Sequence, residues 1–286
     1  MNEGNTETAQ AASASNNKVV ALTFTYPRDA GKAALFGAEL PTEWERIWCV
    51  ESKDAEMPVP AGVKKIVADF PRGGTLRDAG AVYGMRDVFV SVAKNTGCKA
   101  LVKLDSDTAL FRPRAFVAPV LESDCDFVYI RRSACEGRGL ANGCCYVLGQ
   151  GAISRLPRLY PTGIPAAFKG HEDIIFSNFF NNAETDLQTC SLDKLKVSWK
   201  MREYFGRDIL AGHYGYYTFA EARAIYEKTR RELGRGGGMF DFEAYLRELS
   251  AWTASREGYK PFDGGNASES TEKPVDFDFT TEGGAQ

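Results

Sequence analysis

The chain has 286 residues, 44% of them hydrophobic and 26% charged, with a formal net charge of −3. Such a chain buries a core of its own, as one large α/β domain or two small ones, which excludes a fully disordered protein. The charge is unevenly placed: residues 1 to 18 sum to −1 and residues 262 to 286 to −5, which leaves about +3 between them. That balance is too mild for nucleic-acid binding and suits an anionic small substrate.

In chain order, "MNEGNTETAQAASASNNK" has neither the basic start nor the apolar run of a secretory signal. No later stretch reaches the roughly 18 apolar residues of a membrane span, so a cytoplasmic chain is expected. The polar residues 1–18 and 262–286 lack enough branched apolar side chains to offset the entropy of ordering, and are predicted to be disordered tails around a single domain over 19–261. Seven cysteines, an odd number with no CxxC pair, predict reduced thiols rather than a disulfide framework or a zinc ribbon.

Strands are predicted at 19–26, 46–50, 64–70, 100–104 and 126–130, where branched and aromatic residues cluster. A long helix is predicted from a Thr75 cap, with Asp78 three residues later, to Gly97, with Leu76, Ala79, Val82 or Tyr83, Phe89 and Val92 inward. Two more are predicted near the end: Phe219 to Leu233, opened by Thr218 with Glu221 and closed by Gly234, and Asp241 to Trp252, with "RGGG" (235–238) as hinge. Strands alternating with helices imply an open, mostly parallel sheet with helices on both faces, whose ligands bind outside the carboxyl ends of the strands.

The segment "ALVKLDSDTALF" (100–111) puts two acids at such an end. Side chains two apart on extended chain share a direction, so Asp105 and Asp107 face one volume. Two carboxylates about 4 Å apart repel by roughly 4 kcal/mol at an effective dielectric near 20, and a divalent cation reverses the sign. Hard oxygen donors suit Mg²⁺ or Mn²⁺. A solvated turn after a strand reads equally well from this stretch alone. The only histidines are His171 in "FKGHEDIIFSNFF" and His213 in "ILAGHYGYY", each after a glycine. Glu172 and Asp173 lead a helix, where acids also complement the helix dipole.

A strand ending in DxD, then "ANGCCYVLGQGAISRL" (141–156), then "HED" (171–173), then "GH" with His213, resembles the nucleotide-sugar-dependent glycosyltransferases of the GT-A fold. The order and spacing are most similar to galactosyltransferase-like and fringe-like inverting enzymes, over about residues 19–215. The resemblance implies a Rossmann-like mostly parallel sheet, a UDP-sugar or other nucleoside diphosphate sugar as donor, and a glycan or other hydroxyl as acceptor. It implies Mn²⁺, or Mg²⁺, held by Asp107 directly, by His213 as the last protein ligand, and by Asp105, which also reaches ribose or a metal-bound water. Asp173 is the implied general base, with Glu172 as substitute. Thr25, Tyr26 and Arg28 are implied at base and ribose, Arg77 and Lys103 at phosphate, and Asn142, Gly143 and Cys144 at the donor sugar. Ser106 sits in the donor-binding turn and points away from the ion. Trp199 and the tyrosines of "HYGYY" are candidates for an acceptor platform.

Three other readings compete. "LDSDTAL" is locally similar to the DxDxT of haloacid-dehalogenase phosphatases, but about a hundred residues precede it and no GDxxxD follows. A sugar nucleotidyltransferase needs a glycine- and basic-rich loop after the first strand, which "TFTYPRDAGKAALFG" matches poorly. A non-catalytic carbohydrate-binding protein of the same fold is the third.

Overall fold

A computed structural model describes residues 17–69, 79–131, 140–165, 172–182, 185–192, 194–198, 208–234 and 243–259. Outside these lie residues 1–16 and 262–286 of the expected tails, the "RGGG" segment, and Thr75, Arg77, His171 and Trp199. In chain order the elements are β1 (Val19–Phe24), α1 (Ala30–Gly37), β2 (Glu45–Val50), β3 (Val63–Val67), α2 (Ala79–Thr96), β4 (Ala100–Asp105), β5 (Thr108–Leu110) and α3 (Pro113–Ser123). They continue with β6 (Phe127–Arg131), β7 (Ala141–Gly149), α4 (Gln150–Arg155), α5 (Glu172–Phe180), β8 (Thr189–Ser191), β9 (Lys196–Ser198), β10 (Ile209–His213), α6 (Phe219–Glu232) and α7 (Glu243–Ala254).

The fold is mixed α/β. Seven strands form one sheet in the order β3-β2-β1-β4-β7-β6-β8. The β3-β2-β1-β4 half is parallel throughout, β7 runs antiparallel to β4 and β6, and β6 pairs β8 in parallel, so the sheet is mostly parallel as expected. The five predicted strands are present within a few residues. In sequence β7 shows only as a glycine-containing stretch. Eight of its nine residues are buried, so it shows none of the polar alternation that marks a half-exposed strand. A second sheet, β5-β10-β9, was not anticipated either, since strands of three to five residues carry little periodicity.

Helices cover both faces. On one, α2 and α5 bring Phe89 and Phe176 against Phe24 and Tyr146, with Phe89 edge-on to Phe24 at 5.8 Å and to Phe176 at 5.6 Å. On the other, α1, α6 and α7 pack through Phe36, Tyr226 and Leu249. The α6 start is the predicted capping box: Thr218 Oγ1 accepts from Glu221 N at 3.3 Å while Glu221 Oε2 accepts from Thr218 N at 3.0 Å. Gly234 follows with φ +70°, the left-handed backbone that stops a helix.

One cysteine expectation is corrected. Cys125, just before β6, is bonded to Cys190 in edge strand β8. The pair is 65 residues apart in sequence and meets only because β6 and β8 are neighbours in the sheet, which no local spacing reveals. Cys49, Cys98, Cys144 and Cys145 are buried and stand outside that disulfide. Among the described residues no helix is long and apolar enough to cross a membrane.

Candidate active site

β4 lies between β1 and β7 and ends at Asp105. Ser106 and Asp107 form the turn that carries the chain out of the large sheet into β5. β5 pairs antiparallel with β10, with Thr108 opposite His213, and Tyr214 N donates to Asp107 O at 2.8 Å. A residue more than a hundred positions downstream is thereby delivered to the aspartate turn by backbone register. Asp105, Asp107 and His213 each offer one ligand atom, all within 4.8 Å of one another.

The interior of this group is polar and under-satisfied. His213 Nε2 lies 3.3 Å from Asp107 Oδ1, yet that buried oxygen accepts no hydrogen bond among the described residues. Burial pushes the Asp107 carboxyl up; His213 opposes the shift, and Asp105 and Asp29 add to it. Gly215 N donates to His213 Nδ1 at 3.3 Å. A Cβ on Gly215 would fall 2.5 Å from His213 Cε1 and 2.7 Å from Asp107 Oδ2, so only glycine lets the chain pass this close. Two carboxylates, one imidazole and a buried oxygen lacking a hydrogen bond fit a divalent cation of the Mn²⁺ or Mg²⁺ kind.

Beneath the turn is a buried ammonium. Lys103, 1% exposed on β4, donates to Asp105 Oδ1 at 2.7 Å, to Glu172 Oε1 at 3.2 Å and, closely, to the carbonyl of Gly143 on β7. Burial alone would push its pKa down, but Asp105 and Glu172 outweigh that and hold it well above the usual lysine value. Lys103, expected at phosphate, directs its ammonium to these three partners inside the protein. Glu172 is correspondingly a partner of Lys103. Burial pushes its carboxyl up, Lys103 opposes this, and Asp173 and Asp105 add to it.

Asp173, in the first turn of α5, is 5% exposed, and its Oδ1 accepts from Ile174 N at 2.9 Å. It closes on β7 so tightly that a Cβ on Gly143 would lie 2.9 Å from its Oδ2. The Asp105–Lys103–Glu172 chain and the Gly143–Asp173 contact thus join the proposed metal ligands and the proposed base into one charged cluster spanning β4, β7 and α5. Asn142, expected at the donor sugar, directs its amide nitrogen to the carbonyls of Ile130 (3.3 Å) and Arg131 (3.2 Å), where it supports the irregular end of β6. Cys144 is buried in the core, and the buried Ser106 Oγ has no hydrogen-bond partner among the described residues.

At the exit of β1, Thr25 Oγ1 donates to Thr23 O at 3.3 Å, and Arg28 stands exposed with its guanidinium 5.8 Å from the Tyr26 ring centre. The residue that sequence reasoning missed here is Asp29. It is buried and paired with Arg28 at 3.2 Å and Lys32 at 2.9 Å; burial would raise its carboxyl, and the two cations outweigh this and hold it below the usual range. Lys32 Nζ also donates to Tyr214 O at 3.2 Å, tying the start of α1 to the His213 segment. The acid and base three apart in "DAGK" were the available signal.

No protein-family model matches the chain. No curated protein matches it either. Among solved structures it is similar to a glycosyltransferase involved in the glycosylation of the major capsid of PBCV-1, at 9% identity and a TM-score of 0.47, covering 73% of this chain and 99% of that one. A likeness at that level leaves the function to be argued from the site.

Proposed function

We propose that the protein is a metal-dependent glycosyltransferase that moves a sugar from a nucleoside diphosphate sugar, with UDP-sugars favoured, to an acceptor hydroxyl with inversion. The observation that carries this reading is the convergence of Asp105, Asp107 and His213 within 4.8 Å at the carboxyl end of β4, where open α/β sheets bind ligands. These residues would hold Mn²⁺, or Mg²⁺, whose charge offsets that of a departing diphosphate. Asp173 accepts the proton of the acceptor hydroxyl as its oxygen attacks the anomeric carbon. A single in-line attack inverts that carbon. Lys103 and Glu172 hold Asp105 and the start of α5 in place. Arg28, exposed at the exit of β1, and Arg77 would meet phosphate, with Thr25 and Tyr26 toward base and ribose and Gly143 allowing backbone approach to the donor sugar.

The deciding experiment is thermal denaturation with UDP or GDP, each with Mn²⁺ and with EDTA. UDP is expected to stabilise the protein only when Mn²⁺ is present, by about 2.7 kcal/mol at a hundredfold excess over Kd. Equal stabilisation with EDTA, or no response to any nucleotide, overturns the reading. Gly215→Ala is expected to weaken Mn²⁺ binding about 10- to 100-fold, because the added methyl displaces His213 and Asp107 together. Calorimetric titration with Mn²⁺ measures this, and an unchanged affinity removes these two side chains from the ligand set.

A further inference from the structure

Asp29 stands at the carboxyl edge of the large sheet, on the same side as the aspartate turn. β1 ends at Phe24, whose register partner on β4 is Asp105, and the chain then makes a short helical turn over Pro27–Asp29 before α1. That turn buries the Asp29 carboxyl and leaves 76% of the Arg28 side chain in solvent. A carboxylate taken out of water needs partners for its lone pairs, and each oxygen of Asp29 has a different cation. Oδ1 accepts from Lys32 Nζ at 2.9 Å, while Oδ2 accepts from Nε and Nη2 of Arg28, both at 3.2 Å.

The two cations lead to the Asp105 centre by separate routes. Lys32, itself buried, donates a second hydrogen bond to Tyr214 O at 3.2 Å. Tyr214 directly follows His213; its N donates to Asp107 O at 2.8 Å, and its buried ring packs on Phe36 of α1 at 4.8 Å. Lys32 thus holds the residue that adjoins one proposed metal ligand and is hydrogen-bonded to the other. Arg28 is the exposed side chain assigned above to phosphate. An unrestrained arginine loses much rotamer freedom on meeting an anion, and the bonds to Oδ2 remove part of that loss beforehand.

We infer that Asp29 is a positioning residue that couples the two halves of a metal–diphosphate site. One oxygen sets the metal ligands through Lys32 and Tyr214, and the other sets Arg28 toward phosphate. The inference rests on the function proposed above and adds a residue that acts through its two cationic neighbours. Net stability is a poor measure of such a pair, because desolvation offsets much of the attraction between buried charges. Ligand affinities are the informative readout.

The test is calorimetric titration of the full chain with Mn²⁺ alone, then with UDP at saturating Mn²⁺. Lys32→Met is expected to weaken Mn²⁺ about tenfold, the lower end for loss of an outer support of a metal site. Arg28→Gln is expected to leave Mn²⁺ affinity unchanged and to weaken UDP about tenfold, since a charge-assisted hydrogen bond is lost. Asp29→Asn keeps one acceptor oxygen where two are in use, and is expected to weaken both ligands several-fold. Asp29→Asn combined with Lys32→Met removes both buried charges. That double variant is expected to melt no lower than Lys32→Met, yet to bind Mn²⁺ no better, a separation that a merely structural role does not produce. Unchanged Mn²⁺ affinity in Lys32→Met or Asp29→Asn, unchanged UDP affinity in Asp29→Asn, or full recovery of Mn²⁺ affinity in the double variant overturns the inference and leaves the proposed function standing. Absence of Mn²⁺ binding by the unsubstituted protein overturns both.

Discussion

Asp173→Asn is expected to lower sugar transfer by about 10²- to 10⁴-fold, the range for loss of a general base, while UDP with Mn²⁺ still stabilises the protein. The substitution keeps the size of the side chain and an oxygen able to accept from Ile174 N, so that bond in the first turn of α5 is retained. It removes the negative charge and with it the ability to take a proton. Initial rates under saturating donor, alongside thermal denaturation with UDP and Mn²⁺, test both halves. Transfer that survives unchanged removes Asp173 from the chemistry, and loss of nucleotide binding as well would mean that it shapes the site instead.

Lys103→Met is expected to be the most destabilising single change near the site. It leaves the Glu172 carboxylate buried beside Asp105 with the cation between them gone, a loss of about 3–5 kcal/mol. At roughly 2–4 °C per kcal/mol for a domain of this size, the melting temperature falls by about 6–20 °C. Adding Glu172→Gln is expected to recover part of it, because a neutral amide tolerates burial without the ammonium. The pH dependence follows from the raised carboxyl of Glu172. Folded Glu172 holds its proton more tightly than the unfolded chain does, so ionising it subtracts stability at neutral pH. The subtraction fades as pH falls through the raised value toward the ordinary carboxylate range. Without Lys103 that value moves further up, and the deficit of Lys103→Met is expected to be smaller near about pH 5 than near about pH 8. A deficit that grows on acidification contradicts this account.

Much of the architecture was legible because it is written in local patterns. The runs "VVALTF" and "ALVKL" are apolar strands by composition alone, and the Thr218–Glu221 box with Gly234 marks α6 almost to the residue. Asp105 and Asp107 at a strand end and His213 after a glycine were legible as chemistry. β7 and the β5-β10-β9 sheet were not, since one is buried along nearly its whole length and the others are too short to show a period. Asp29 was passed over because a carboxylate beside an arginine in a loop reads as solvated surface, and only its burial gives the ion pairs weight.

The amino-acid sequence by itself determined the five apolar strands, the long α2 and the two C-terminal helices, and which side chains carry charge, because propensity, periodicity and capping act over a few residues. Tertiary structure decided which of those charges meet. Pairing of β5 with β10 set His213 against the aspartate turn, and pairing of β4 with β7 brought Gly143 over Lys103. Packing of α5 on β7 set Glu172 and Asp173 against both, and β6 beside β8 joined Cys125 to Cys190. Lys103 shows the division most clearly: in sequence it is an ordinary lysine in a strand, and only its burial between two carboxylates makes it the support beneath the site.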